Sequence, residues 1–141
     1  MVKASSVKTG TAYEKFVTRL MQTIVNDAVA KGITPIVVEH NPKPRKLGRS
    51  GCRHQLDVYY EVEFAGETFS VAIECKKFKT SVSIGRVRDF WDALQDINIS
   101  KGKMYAAKGF QSGALKFAAY YGIRTQVVDP SIPINIVGGV I

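Results

Sequence analysis

The sequence is short of cysteine, of histidine and of acid. Its 141 residues hold 2 Cys and 2 His, and 12 Asp and Glu stand against 20 Lys and Arg. Two thiols, Cys52 and Cys75, cannot build a disulfide framework. Both read as reduced, which makes the expected compartment the cytoplasm. Cysteine and histidine do not occur at zinc-binding spacing. Charges interrupt every apolar run before it reaches membrane-spanning length. The opening residues, Met1-Val2-Lys3-Ala4-Ser5-Ser6, lack the apolar stretch of a signal peptide. No repeat or linker stands out, so residues 1–141 read as one domain, long enough to bury a core.

The shortage of acid leaves a net charge of +8 and a pI near 9.6, which favours a polyanionic partner. The charge is gathered rather than spread. Lys43, Arg45, Lys46, Arg49 and Arg53 crowd one Pro/Gly-rich stretch that runs into the segment holding Asp57. Lys77 and Lys79 follow directly on Lys76. For any one of these residues a solvated surface charge is an equal reading; for the whole set, given its position, it is the weaker one.

The acids that are present stand in unexpected places. Asp57 sits within Leu56-Asp57-Val58-Tyr59-Tyr60, and Glu74 and Lys76 end the run Phe69-Ser70-Val71-Ala72-Ile73-Glu74-Cys75-Lys76. Both runs read as strands. Ionised groups in core strands are costly unless paired or bound to metal. Strand parity puts Glu74 and Lys76 on one face with Ser70 and Ala72, and turns Phe69, Val71, Ile73 and Cys75 into a core. By the same parity Asp57 shares a face with Gln55 and Tyr59, opposite Leu56, Val58 and Tyr60. A hairpin would bring Asp57 to Glu74 and Lys76. Two carboxylates there repel unless a cation lies between them, and oxygen donors suit Mg²⁺. A structural salt-bridge cluster is the alternative, though a poor route to stability.

The pass along the chain predicts a helix over 11–31, a strand over 33–39, a hairpin of 55–64 with 68–76, a helix over 83–96 capped by Ser83, a strand over 103–107, a helix over 112–121 stopped by Gly122, and a strand over 123–128. The apolar tail 132–141 reads as an edge strand or a dimer contact. This order predicts an α/β protein: a mixed central sheet with helices on both faces. Phe90 and Trp91 read as core residues, Tyr120 and Tyr121 as surface or interface residues, and Lys108 as solvated. His54 should face away from Asp57 in a structural or phosphate-contacting role.

Asp57 followed by Glu74-Cys75-Lys76 resembles the PD-(D/E)xK nuclease signature. The segments His54-Gln55-Leu56-Asp57-Val58, Ala72-Ile73-Glu74-Cys75-Lys76, Lys101-Gly102-Lys103-Met104-Tyr105 and Gly109-Phe110-Gln111-Ser112-Gly113-Ala114 resemble the Mrr-type restriction endonuclease catalytic domain. The resemblance runs from the first helix to about Asp129. It implies a restriction-endonuclease-like three-layer α-β-α fold and Mg²⁺-dependent cleavage of DNA, with Mn²⁺ able to substitute. It implies that Asp57, Glu74 and the carbonyl of Cys75 hold the metal and that Lys76 serves the hydrolytic water. Glu14 matches an acidic position on the first helix of related nucleases. Yet Thr11-Ala12-Tyr13-Glu14 is equally a capping-box pattern, and Glu14 does neither if the helix starts earlier. Gln55 could line the site. The DNA-binding set is Lys43, Arg45, Lys46, Arg49, Arg53, Lys77 and Lys79.

The chain departs from the family in having Leu56 where a proline often precedes the first acid. It also has no room for a separate recognition domain. Gly10, Glu14 and Arg49-Ser50-Gly51 resemble features of Holliday-junction resolvases, so structure-specific cleavage is the alternative activity. A DNA-binding module without chemistry is the non-enzymatic one. Cutting both strands requires two active sites, which makes a homodimer the expected assembly.

Overall fold

Among the described residues, seven strands and three helices are arranged so that one sheet is covered on both faces. The computed structural model describes residues 10–30 and 36–131, with the side chains of 29 and 30 left aside. Helix α1 spans Gly10–Ala30. Short strands β1 (Glu39–His40), β2 (Lys46–Leu47) and β3 (Arg53–His54) follow. The hairpin strands are β4 (Val58–Phe64) and β5 (Glu67–Lys76); then come α2 (Ile84–Asp96), β6 (Lys101–Ala106), α3 (Ser112–Tyr121) and β7 (Arg124–Val127). The sheet order is β1-β4-β5-β6-β7, and β2 and β3 pair apart from it. The β1/β4 and β4/β5 pairs are antiparallel, while β5/β6 and β6/β7 are parallel, as expected of a hairpin joined to crossover helices.

Each face has its own core. Under α1, Tyr13, Val17, Leu20, Met21 and Val25 pack on Val58, Tyr60, Val71, Ile73, Cys75 and Tyr105. The buried Tyr13 side chain donates its hydroxyl to the carbonyl of Val128 at 2.8 Å, which ties α1 to the residue just after β7. Under α2 and α3, Val87, Phe90, Leu94, Ala114 and Ala118 pack on Leu56, Tyr59, Ala72, Met104 and Ala106. The architecture is the three-layer α-β-α arrangement expected. Among the described residues no helix is long and apolar enough to cross a membrane.

Several boundaries differ from the sequence expectation. The strand expected over 33–39 is the two-residue β1 at Glu39–His40; residues 31–35 lie outside the described residues, as does the tail 132–141. β4 begins at Val58, not at Gln55, because 53–54 pair with β2 instead. Strand parity therefore fails across Leu56 and Asp57: Leu56 packs with Tyr59 rather than opposite it. Ser83 stands at the N-cap of α2, but its hydroxyl makes no cap bond; its carbonyl accepts from the amides of Arg86 and Val87. Phe90 is buried as expected, whereas Trp91 is half-buried against Phe117 and Tyr121.

Candidate active site

The hairpin register assembles the site. Val58 pairs with Ile73, so Asp57, just before one, comes level with Glu74, just after the other. Asp57 Oδ2 accepts the backbone N–H of Cys75 at 2.9 Å. The Asp57 and Glu74 carboxyls also share a hydrogen bond. Lys76 Nζ lies 3.3 Å from Glu74 Oε2, as same-face strand neighbours permit, and the two side chains are only 20 % and 22 % exposed. The Cys75 side chain points into the core under α1, where burial pushes its thiol up, so only its backbone reaches the site.

Burial is the first cause of the electrostatics here. It raises Glu74 to about 8, and the negative charge of Asp57 adds to the shift while Lys76 opposes it. Burial also raises Asp57, against hydrogen bonds from Glu74 and Cys75 that lower it. Two buried carboxyls this close favour a proton on one of them, because both charges are costly to keep there unscreened. The same repulsion makes the pair a fit for a divalent cation with oxygen preference. No third acid joins it: among the described residues no three His, Cys, Asp or Glu side chains form a ligand cluster.

Glu14 has a different partner. Its Oε1 lies 3.1 Å from His40 Nε2, and His40 pairs with Val58 in the sheet, beside Asp57. Thr11 lies inside α1, so it is not an N-cap and Glu14 is not the far half of a capping box. Its charge still reaches the site, raising Asp57 and Cys75 through space. Sequence reasoning missed His40; its one signal was proximity to the strand that pairs beside Asp57.

Gln55 is exposed and outside the strand, and its Oε1 accepts from the Arg45 guanidinium at 3.0 Å. The structure brings together Asp57, Glu74, Cys75 and Lys76, with Glu14 near them, and gives Gln55 to the basic loop.

That loop is a built structure. Lys46 pairs with His54 and Leu47 with Arg53. Asp96, at the last turn of α2, accepts from the Ser50 amide at 2.9 Å and its hydroxyl at 2.6 Å, and lies 2.7 Å from His54 Nε2. These bonds, Ser50's first, hold the Asp96 carboxyl down near 2. Arg49 donates through its guanidinium to the Gln95 carbonyl at 2.9 Å, and through its amide to that of Asp96 at 2.9 Å. Gly48 makes this approach possible: a Cβ there would sit 1.8 Å from Asp96 Oδ2. Arg53 donates to the Arg45 carbonyl at 3.0 Å, and Lys46 Nζ lies 4.4 Å from the centre of the Tyr59 ring. His54 thus has a structural role, as expected. Sequence reasoning overlooked Asp96, although an acid at a helix C-terminus opposes the helix dipole and so calls for a partner.

Lys43 is exposed at the outer part of the loop. Lys77 and Lys79 leave β5 and border an open groove of about 540 Å³. Lys108 is exposed and lies 3.5 Å from Asp129.

Comparisons with known proteins bear on the fold and on the family. Protein VC1899 from Vibrio cholerae is 16% identical, with a TM-score of 0.58 over 82% of this chain and 29% of that one. Protein of unknown function AF1548 is 17% identical, with a TM-score of 0.53 over 75% of this chain and 55% of that one. At these identities the likeness is one of fold, and the chain spans about half or less of either structure. No curated protein matches the sequence significantly. A family model for restriction endonucleases (Mrr_cat) matches residues 9–129, a span that holds Glu14, both strands of the carboxylate hairpin and Lys76. The chain belongs to the restriction endonuclease family.

Proposed function

We propose that this chain is a metal-dependent DNA endonuclease that hydrolyses phosphodiester bonds. The observation that supports it most is the Asp57–Glu74 pair beside Lys76, two carboxyls held close enough to share a proton at the end of a core hairpin. Asp57 and Glu74, with the backbone carbonyl of Cys75, would hold Mg²⁺ or Mn²⁺. When bound, the ion supplies Lewis-acid stabilisation of charge on the phosphate. Lys76 orients the water oxygen that attacks phosphorus, and its ammonium offsets negative charge growing on the phosphate oxygens. The P–O ester bond breaks, leaving one phosphate end and one hydroxyl end. Glu74 keeps Lys76 in place through the 3.3 Å contact. Glu14, paired with His40, adds negative field behind Asp57.

DNA is the polyanion that the +8 charge fits in this reading. Lys43, Arg45, Lys46, Arg49, Arg53, Lys77 and Lys79 supply the phosphate contacts, and Gln55 holds Arg45 at the edge of the site. Two such sites in a homodimer would cut both strands.

The test is incubation of plasmid and four-way-junction DNA with wild type and Lys76→Ala, in Mg²⁺ and in chelator. Cleavage that needs both Mg²⁺ and Lys76 supports the reading. Cleavage confined to junctions makes the enzyme structure-specific. DNA binding with no cutting of any substrate would instead assign a binding module.

A further inference from the structure

We propose that the groove between the β5–α2 connection and the start of α3 is a second nucleic-acid subsite, which grips the phosphates of the strand beside the bond being cut. The identity of that strand rests on the nuclease reading of the neighbouring carboxylate site. Lys77, Phe78, Lys79, Ser83, Arg86 and Gln111 line the groove, and every charged residue in its lining is a cation. Ser83 and Arg86 come from the start of α2, a few residues beyond Lys76, and Gln111 from the start of α3. The bridge between Val82 and Phe110 brings the second helix start beside the first.

The groove's polar groups are not used by the helices that carry them. Ser83 and Gln111 are the N-cap residues of α2 and α3, and neither side chain caps its own helix. Both line the groove instead. Its two walls are stapled by backbone: the Val82 amide donates to the Gly109 carbonyl and the Gln111 amide to the Val82 carbonyl, each at 2.9 Å. The shape is therefore set before a ligand arrives, which lowers the ordering cost of binding.

Phe78 joins the groove to the reactive lysine. Lys76 Nζ lies 5.7 Å and the Arg86 guanidinium 5.4 Å from the centre of its ring. A strand held at Asp57 and Glu74 would pass Lys76 and reach the groove cations Lys77, Lys79 and Arg86 on the far side of Phe78. Contacts of this kind, cations and hydroxyls to phosphate, position a strand without reading its bases. The chemical class of ligand is a phosphodiester chain, bound with little regard to sequence.

The test measures binding in chelator, where cleavage plays no part, using a fluorescent DNA duplex and anisotropy over a series of salt concentrations. Lys79→Ala with Arg86→Ala removes two exposed groove cations. Lys101→Ala with Arg124→Ala removes two exposed cations at the opposite end of the sheet, where β6 and β7 begin. The groove variant should bind at least about tenfold more weakly, and its log K against log salt should be shallower by about 2. The control variant should match wild type, and Lys79→Arg with Arg86→Lys should keep most of the affinity. A groove variant that behaves like the control overturns the proposal. So does a charge-keeping variant as weak as the alanine one, because the loss is then not one of phosphate contacts. The nuclease reading fails separately: a wild type that binds through the groove and cuts no DNA in Mg²⁺ retires the catalysis and leaves the groove standing.

Discussion

The two basic stretches of this chain look alike in sequence and differ in what the fold does with them. In the stretch from Lys43 to Arg53, the cations are largely turned to internal contacts. Arg49 holds the end of α2, Arg53 the Arg45 backbone, Arg45 the Gln55 side chain, and Lys46 the Tyr59 ring. In the stretch from Lys77 to Arg86, the cations border an open groove. A guanidinium already bonded to a carbonyl loses that bond, or shares it, when it meets a phosphate. A larger count of charge therefore does not mean stronger binding. The first stretch is a scaffold that meets phosphate only with the donors its internal contacts leave over, and the second is a surface that offers its charge freely.

The largest expected effect separates both stretches from the chemistry. Lys76→Ala should lower cleavage by roughly 10²–10⁴-fold, the range for a positioned proton-handling or charge-stabilising group. Binding measured in chelator should stay near wild type. If binding falls as far as cleavage, Lys76 belongs to the phosphate contacts and the division between site and grip is wrong.

The next test dismantles the scaffold. Asp96→Ala removes the acceptor of Ser50 and His54, and should lower the thermal midpoint and loosen the basic loop, seen as faster amide exchange over 48–54. Gly48→Ala should reproduce this, since its Cβ would occupy the place of Asp96 Oδ2. Sites that share one interaction are not additive. The double variant should therefore melt no lower than the worse single one, and additive losses would show that Gly48 acts elsewhere.

A smaller effect concerns pH. The fold raises Glu74 from 4.5 to about 8, so it favours the protonated form. That contribution is complete below about 4.5 and is lost as pH rises through about 8. In chelator the thermal midpoint should decline across this window, and Glu74→Gln should flatten the decline. Mg²⁺ should flatten it too, by replacing the proton as the charge between the carboxyls. An unchanged profile in Glu74→Gln would remove Glu74 as its cause. The smallest effect compares single cations from the two stretches. Lys79→Ala should reduce the salt slope by about 1, and Arg49→Ala by clearly less, since its guanidinium is already on the Gln95 carbonyl. Equal slopes would erase the distinction between scaffold and surface.

Much of this arrangement was legible beforehand where local pattern decides structure. α3 runs over the expected Ser112–Tyr121, because a helical stripe ends at a glycine that takes the left-handed conformation. From Val71 to Lys76 the faces of β5 follow parity, so Glu74 and Lys76 were correctly placed together and Cys75 in the core. Phe69, expected in that core, is exposed because α1 does not cover the start of the strand. Parity failed at Leu56 and Asp57, where competition from β2 shortened the strand; alternation holds only while the backbone stays extended. The roles of Glu14 and Asp96 were not legible. A helix-borne acid finds its partner through packing, and His40 and Ser50 lie on other elements.

By itself the sequence determined the charge of +8, the parity that pairs Glu74 with Lys76, and the motif that marks the restriction endonuclease family. These depend on composition and on spacings of a few residues, which backbone geometry converts directly into direction. Only the tertiary structure decided that Asp57 is buried against Glu74, that one basic stretch is fastened by Asp96, and that the other borders a groove completed by Arg86 and Gln111. Each of these joins residues from separate elements. Strand register and helix packing bring them together, and neither is written in any local run of the chain.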